Sequence, residues 1–302
     1  MTIRELLSAT AKQLQPKKIT CAADRDLGRF EAEILLAHVV KKDRAWLLTH
    51  DDYCLSSTIY RLFRSLVARR LKHEPIAYIQ GEKEFYGLPF SVNRHTLIPR
   101  PETEQVVELA CAAIKRKPKN KKARHAAPLL WDIGTGCGAI AIATAKHIPG
   151  CHVLATDISS ASLTIAKKNA QRNKVSNIKF LKSNLVDLSA RRFLEKMKTS
   201  HLVITANLPY LPTNDKKTMD RDVVGYEPSS ALFSGPDGLA LIEKLLRQLA
   251  AFDIHFGTLL LEHDPRQTKK LHAMAMKLLP HGTVQTHKDL AGRDRVTEIT
   301  RP

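Results

Sequence analysis

Hydrophobic positions change their period several times along the chain, and each change marks a different kind of element. Thr2, with Glu5 three residues later, forms a capping box, and Ile3, Leu6 and Leu7 open an apolar face, so a helix is predicted at the start. A second helical pattern covers residues 30–40. The third is the clearest: Ile59, Leu62, Phe63, Leu66 and Val67 fall at i, i+3, i+4, i+7 and i+8, one face of a 3.6-residue repeat. Residues 1–74 therefore read as a small helical bundle, whose expected role is packing or the docking of a macromolecular substrate. From Pro75 the texture turns to short β-like pieces, residues 76–79 and 85–92, broken by Gly81, Gly87 and Pro89. They predict a β-hairpin linker over residues 75–96.

Residues 97–302 read as one α/β domain. It opens with Leu97-Ile98-Pro99-Arg100-Pro101-Glu102-Thr103-Glu104 and a helical stretch over residues 106–114. The prolines hold the chain extended, Glu102 or Thr103 is placed to cap the helix, and Arg100 is left as a directed cation. Strands and helices then alternate, the signature of a parallel sheet covered by helices. Strands are predicted at residues 129–133, 152–156, 178–181, 202–206 and 258–261, with helices at 139–148, 161–173, 188–197 and 238–252. Residues 283–300 read as a closing β pair.

Candidate chemistry gathers at the strand ends. The first strand runs into Gly134-Thr135-Gly136-Cys137-Gly138, and glycines at a strand-to-helix turn let the backbone approach a ligand. The next strand ends at Asp157, about 20 residues downstream of the glycines, the spacing at which a carboxylate meets ribose hydroxyls. An adenosine-containing ligand is implied. The third strand ends near Asn184 and Leu185, and the fourth delivers Asn207-Leu208-Pro209-Tyr210. In an open sheet these ends share one crevice. An asparagine amide, a main-chain oxygen at Leu208 aimed by Pro209, and the flat face of Tyr210 make a vice for a planar NH2 group. The plainer alternative is a strand followed by a proline-terminated turn.

Composition narrows the setting. The formal charge of +18, from 48 basic and 30 acidic residues, attracts polyanions. Seven of the positive residues lie between Lys115 and Arg124, a solvated connector or a patch that steers the chain toward RNA or the ribosome. The five cysteines are scattered without a C-x-x-C, which argues against a disulfide framework and a structural zinc site, and the histidines have no metal-ligand spacing. Cys137 reads as a small filler at the glycine turn, and His263 as a strand-end residue. The first residues lack a signal-peptide pattern and the longest apolar runs, such as residues 139–145, are too short to span a membrane, so a cytoplasmic protein with no membrane partner is expected.

Taken together, the motifs resemble the HemK/PrmC-type protein-glutamine N5-methyltransferases. The resemblance rests on Glu74-Pro75-Ile76-Ala77-Tyr78-Ile79-Gln80-Gly81, the stretch from Leu97 through Glu104, the glycine turn, Asn207 with its three followers, Tyr226-Glu227-Pro228 and Gly292-Arg293-Asp294-Arg295. It implies a Rossmann-like, seven-stranded class I methyltransferase domain behind an N-terminal helical bundle and a hairpin. It also implies S-adenosylmethionine as cofactor and the GGQ glutamine of peptide chain release factors as substrate. Gly134, Thr135, Gly136, Cys137 and Gly138 would line the methionine and ribose, Asp157 the ribose hydroxyls, and Asn184 and Leu185 the adenine. Asn207, Leu208, Pro209 and Tyr210 would hold the substrate glutamine and carry the catalysis, with Asn207 also contacting the cofactor. The chain departs from the family's usual NPPY at Leu208, which keeps the carbonyl acceptor but loosens its aim, and Leu185 stands where some relatives have a tryptophan.

Three other readings stay open on sequence. The spelling Asn-Leu-Pro-Tyr also resembles rRNA adenine dimethyltransferases, whose exocyclic NH2 offers the same two donors. Gly134, Gly136 and Ala139 satisfy the G-x-G-x-x-A pattern of nicotinamide enzymes. Finally, Leu208 is consistent with a non-catalytic binding module.

Overall fold

The computed structural model describes residues 1–15, 26–116, 127–197 and 201–301. Most of the basic run between Lys115 and Arg124 lies outside them. In chain order the helices and strands are α1 (Ile3–Leu14), α2 (Leu27–Val40), α3 (Arg44–Thr49), α4 (Ser57–Leu71) and α5 (Ile76–Gln80), then β1 (Glu82–Phe85) and β2 (Leu88–Ser91). After these come α6 (Glu104–Lys115), β3 (Leu129–Ile133), α7 (Ala139–His147), β4 (His152–Asp157), α8 (Ser160–Arg172), β5 (Ile178–Lys182), α9 (Leu188–Met197) and β6 (Leu202–Ala206). The remainder is α10 (Arg221–Tyr226), α11 (Ala240–Ala251), β7 (Thr258–Glu262), α12 (Thr268–Leu278), β8 (Thr283–Lys288) and β9 (Asp294–Thr300). No helix of the described residues is long and apolar enough to cross a membrane.

The chain forms two compact units, Met1–Gly81 with Asp220–Tyr226, and Glu82–Met219 with Glu227–Pro302. The first is helical. Its capping box forms as the sequence predicts, with Thr2 Oγ1 accepting from Glu5 N at 3.2 Å and the Glu5 carboxylate accepting from Thr2 N at 2.9 Å. Ile3, Leu6, Leu7, Leu35, Leu36, Leu47 and Phe63 fill the core of this unit. Two glutamates are buried beside it, and each is paired, as a charge withdrawn from water must be. Arg70 donates to both oxygens of Glu31 at 2.8 Å and to Asp222 at 2.5 Å, while Glu33 accepts from Arg29 at 2.6 Å and Arg44 at 2.7 Å.

Residues 76–79 are helical and not β-like. Tyr78 N and Ile79 N bond back to the Pro75 carbonyl at 2.9 and 3.0 Å, and both side chains are buried, which outweighs the β-propensity of the short apolar run. Left-handed Gly81 then ends α5. The hairpin is β1 paired with β2, and it turns on Tyr86 and Gly87, both at positive φ, as the right-handed twist of a tight hairpin requires. Its first strand, Glu-Lys-Glu-Phe, is too polar for a hydrophobic alternation to reveal. Helices α3 and α10, at six residues each, are too short for a readable period, and α12 buries only Leu271 and Ala275.

The second unit is built on a seven-stranded sheet in the order β5-β4-β3-β6-β7-β9-β8. Strands β5, β4, β3, β6 and β7 pair in parallel, and β9 runs antiparallel to both its neighbours. Every residue of β3, β6 and β7 is buried, as expected for central strands covered on both faces. After β3 the chain steps outward to β4 and β5, then returns to the other flank of β3 with β6. That reversal opens a crevice at the strand carboxyl ends between β3 and β6.

Candidate active site

Ile133 pairs with Ala206, so Gly134 and Asn207 leave the sheet side by side at this crevice. A Cβ on Gly134, which has φ +75°, would lie 2.9 Å from Leu208 Cδ2. The loop is tied down from two directions: Gly134 N and Thr135 N share the Thr156 carbonyl at 2.8 and 2.9 Å, and Gly136 N donates to Asp157 Oδ2 at 2.9 Å. Asp157 Oδ1 accepts from Ser159 N at 2.8 Å. Burial raises the Asp157 pKa above the usual carboxylate range, and the backbone N–H groups of Ser159 and Gly136 oppose it.

Behind the loop, Asp132 is a buried brace. Thr135 Oγ1 donates to its Oδ2 at 2.7 Å and Thr205 Oγ1 to its Oδ1 at 2.8 Å, which joins β3, its loop and β6. Burial pushes the Asp132 pKa up to about 6 against the pull of those two hydroxyls. Burial also pushes the Cys137 thiol up to about 12, so the thiolate needed of a nucleophile is not available at neutral pH. Past β5, Asn184 N donates to Asp187 Oδ2 at 3.1 Å, and Leu185 sits at φ +56° with its side chain in the core. His263 is buried with both ring nitrogens engaged, by the Asp264 carbonyl and Thr297 Oγ1, each at 2.9 Å, and burial lowers its pKa.

At the end of β6, Asn207 Nδ2 donates to Thr103 Oγ1 at 3.1 Å and to Glu262 Oε2 at 3.0 Å. Both of its hydrogens are therefore committed. Tyr210 donates its hydroxyl to Glu262 Oε1 at 3.1 Å and accepts at its carbonyl from Gln267 Nε2 at 2.6 Å. Burial and the neighbouring Glu262 keep Tyr210 a neutral phenol. Among the described residues no donor reaches Asn207 Oδ1 or the Leu208 carbonyl, although Leu208 itself is only 4% exposed.

Two residues at this point were not foreseen in these roles. Neither Glu102 nor Thr103 caps a helix: a 3-10 turn, Pro101–Thr103, leads into α6, and the Thr103 side chain makes no capping bond. Its hydroxyl faces Asn207 instead, and Glu102 lies 3.5 Å from Arg293. Glu262 had one sequence signal, an acid closing the otherwise apolar Thr258-Leu259-Leu260-Leu261 run at a strand's carboxyl end. It is 1% exposed; burial raises its pKa, hydrogen bonds from Thr103 and Tyr210 and the charge of Arg295 pull it down, and Glu102 pushes it up.

The doubly wound sheet, the glycine loop at its switch point and the strand-end Asn207 define a Rossmann-like class I methyltransferase, and a family model described as a methyltransferase domain matches residues 131–224. A second model, the PrmC N-terminal domain, matches residues 5–81. The chain belongs to the release factor glutamine methyltransferase family. It is 37% identical over 273 residues to the release factor glutamine methyltransferase of Coxiella burnetii, covering 90% of this chain and 92% of that protein. To the Vibrio cholerae protein of the same name it is 36% identical over 297 residues, covering 98% and 96%. Among solved structures, the hMettl16 catalytic domain in complex with a MAT2A 3'UTR hairpin is similar in fold, with a TM-score of 0.56 at 16% identity over 78% of this chain and 83% of that one.

Proposed function

We propose that this enzyme transfers a methyl group from S-adenosylmethionine to the side-chain amide nitrogen (N5) of the GGQ glutamine of a peptide chain release factor. The observation that carries the reading is the state of Asn207: its nitrogen is held by Thr103 and Glu262, which leaves its oxygen as an acceptor next to the glycine loop. The chain's residues fit the cofactor. Gly134 keeps side-chain bulk out of the rim where it meets Leu208, and Asp157 ends β4 on that rim with a carboxylate suited to vicinal hydroxyls. We assign Thr135, Gly136, Cys137 and Gly138 to the same cofactor-facing loop, and Asn184 and Leu185 to the adenine end.

When bound, S-adenosylmethionine supplies a methyl group made electrophilic by its sulfonium. A carboxamide nitrogen is a weak nucleophile because its lone pair is delocalised into the carbonyl, so holding it in line matters most. Asn207 Oδ1 and the Leu208 carbonyl accept its two N–H bonds, and the Tyr210 ring packs flat against the amide. Positioning then supplies most of the rate, and the proton leaves after methylation has made the nitrogen acidic. An adenine NH2 has the same two donors, but the family relationship favours the amide over it and over hydride chemistry.

The test is incubation of labelled cofactor with a release factor and, separately, with rRNA, followed by mass spectrometry of the labelled product. Label on the GGQ glutamine is expected. Asn207→Ala should lower turnover about 100-fold or more, the scale of losing one preorganised polar contact to a reacting group. Label on rRNA alone would overturn the proposal, and cofactor binding without transfer to any release factor would favour a binding module.

A further inference from the structure

We infer that Glu262 is a positioning residue for this reaction: with Thr103, its carboxylate determines which way the Asn207 amide faces. The inference rests on the function proposed above and adds a residue to it. A primary amide has nearly the same shape in its two flipped forms, but the flip exchanges acceptor for donor. A flipped Asn207 would point N–H at a substrate that itself offers N–H. Something must therefore fix the amide.

Glu262 does so by chemistry as well as by place. Ala206 pairs with Leu261, so Asn207 and Glu262 follow side by side at the ends of β6 and β7. An ionised carboxylate can only accept. Its Oε2 takes Asn207 Nδ2 at 3.0 Å and its Oε1 takes the Tyr210 hydroxyl at 3.1 Å. The Thr103 hydroxyl accepts from Asn207 at 3.1 Å, and its interaction with Glu262 favours the ionised carboxylate. Both N–H groups of Asn207 are thus held by oxygens, the Thr103 hydroxyl and the Glu262 carboxylate, and the Tyr210 hydroxyl donates to the same carboxylate. An apolar residue would finish β7 without the desolvation penalty of a buried acid. The carboxylate's work is at the rim.

The arrangement can be reversed on purpose. With Asn207→Asp and Glu262→Gln together, the new amide on β7 donates its N–H groups to Thr103 and to the new carboxylate on β6, and the Thr103 hydroxyl donates to that carboxylate as well. The outward oxygen at position 207 remains an acceptor, the total charge is unchanged, and the Tyr210 hydroxyl still finds an oxygen at position 262.

The experiment measures kcat and KM for release-factor methylation, with cofactor affinity by calorimetry, in the full-length wild type, N207D, E262Q and the double variant. Each single variant should lose about tenfold or more in kcat with cofactor affinity within about threefold, since a misdirected polar group costs on this scale. E262Q added to N207D should restore kcat at least about fivefold over N207D, the opposite sign to its effect on the wild type. An E262Q enzyme with wild-type kcat, or a double variant no better than N207D, overturns the inference. A second readout does not need turnover: the Asn207 side-chain NH2 resonances, identified by their loss in N207D, should shift and exchange faster with solvent in E262Q. Unchanged resonances also overturn it. A wild type that leaves the release factor unlabelled defeats the proposed function instead, and the resonances still decide the role of Glu262.

Discussion

The Ile98 N–H donates to Glu227 Oε2 at 3.0 Å across 129 positions of sequence. The other oxygen of the same carboxylate pairs with the Arg100 guanidinium, so one buried side chain fixes the extended segment that delivers Thr103 to Asn207. Two stretches singled out separately in the sequence are parts of one support. Arg100 has only donors, and the Glu227 carboxylate, brought from elsewhere in the chain, supplies its charged acceptor.

Removing that carboxylate should be costly. Glu227→Ala leaves the buried Ile98 N–H unsatisfied and Arg100 without its partner, a loss of about 2–4 kcal/mol in urea unfolding. Glu227→Gln retains an acceptor for Ile98 and should lose only about 1 kcal/mol. An alanine variant as stable as the wild type would show that the segment is held by its prolines alone.

Asp157→Ala is expected to weaken cofactor binding about 10- to 100-fold, the value of a charge-assisted hydrogen bond to a hydroxyl. Calorimetry measures it directly. Asn207→Ala should leave that affinity within about threefold and act on turnover instead. The reverse pattern would exchange the roles assigned to the two residues.

Asp132 predicts a pH effect. Its folded-state pKa is raised from 3.8 to about 6, so the native state holds the proton more tightly than the unfolded chain does. The stability it contributes is complete below the unfolded value and is lost as pH rises through about 6, a change of about 3 kcal/mol. Asp157 and Glu262, also raised, act in the same direction, whereas Asp289 and Glu33, both lowered, act oppositely. Comparison with Asp132→Asn isolates the one group: the variant should gain on the wild type by about 2.4 kcal/mol between pH 4 and pH 7 in denaturant titrations. A constant difference across that range would mean that Asp132 does not titrate there.

The sheet was legible because buried parallel strands are short apolar runs between helical repeats, and β3, β4, β6 and β7 all have that form. The strand-end positions of Gly134, Asp157 and Asn207 followed from the same pattern. Thr103 and Glu262 were not legible as partners of Asn207, because their meeting depends on β7 lying next to β6 and on the register that sets Leu261 against Ala206. Strand order is a property of the packed sheet. At residues 76–79 the local signal misled for a related reason: four apolar or aromatic-rich positions suit a strand or a buried helical turn, and the Pro75 carbonyl with the helical core around Tyr78 and Ile79 decides between them.

Gly238 offers a test of how closely the segment at Tyr210 is held. It has φ +80°, and a Cβ there would lie 1.9 Å from the Tyr210 carbonyl oxygen and 2.4 Å from Gln267 Nε2. Gln267 Nε2 donates to that carbonyl at 2.6 Å and to the Asp237 carbonyl at 2.8 Å, so the new methyl group meets a clamp. Gly238→Ala adds left-handed strain of about 1–2 kcal/mol and must also displace the Tyr210 backbone or break the Gln267 bonds. Because the Tyr210 hydroxyl bonds Glu262, a shift of this backbone reaches Asn207, and kcat should fall together with the melting temperature. Gly150→Ala, where nothing lies within 4 Å of the new methyl and φ is not left-handed, should stay within about 0.5 kcal/mol of the wild type and keep its kcat. A Gly238→Ala enzyme with the wild-type rate would mean that the Tyr210 carbonyl can move without disturbing the grip proposed for Asn207.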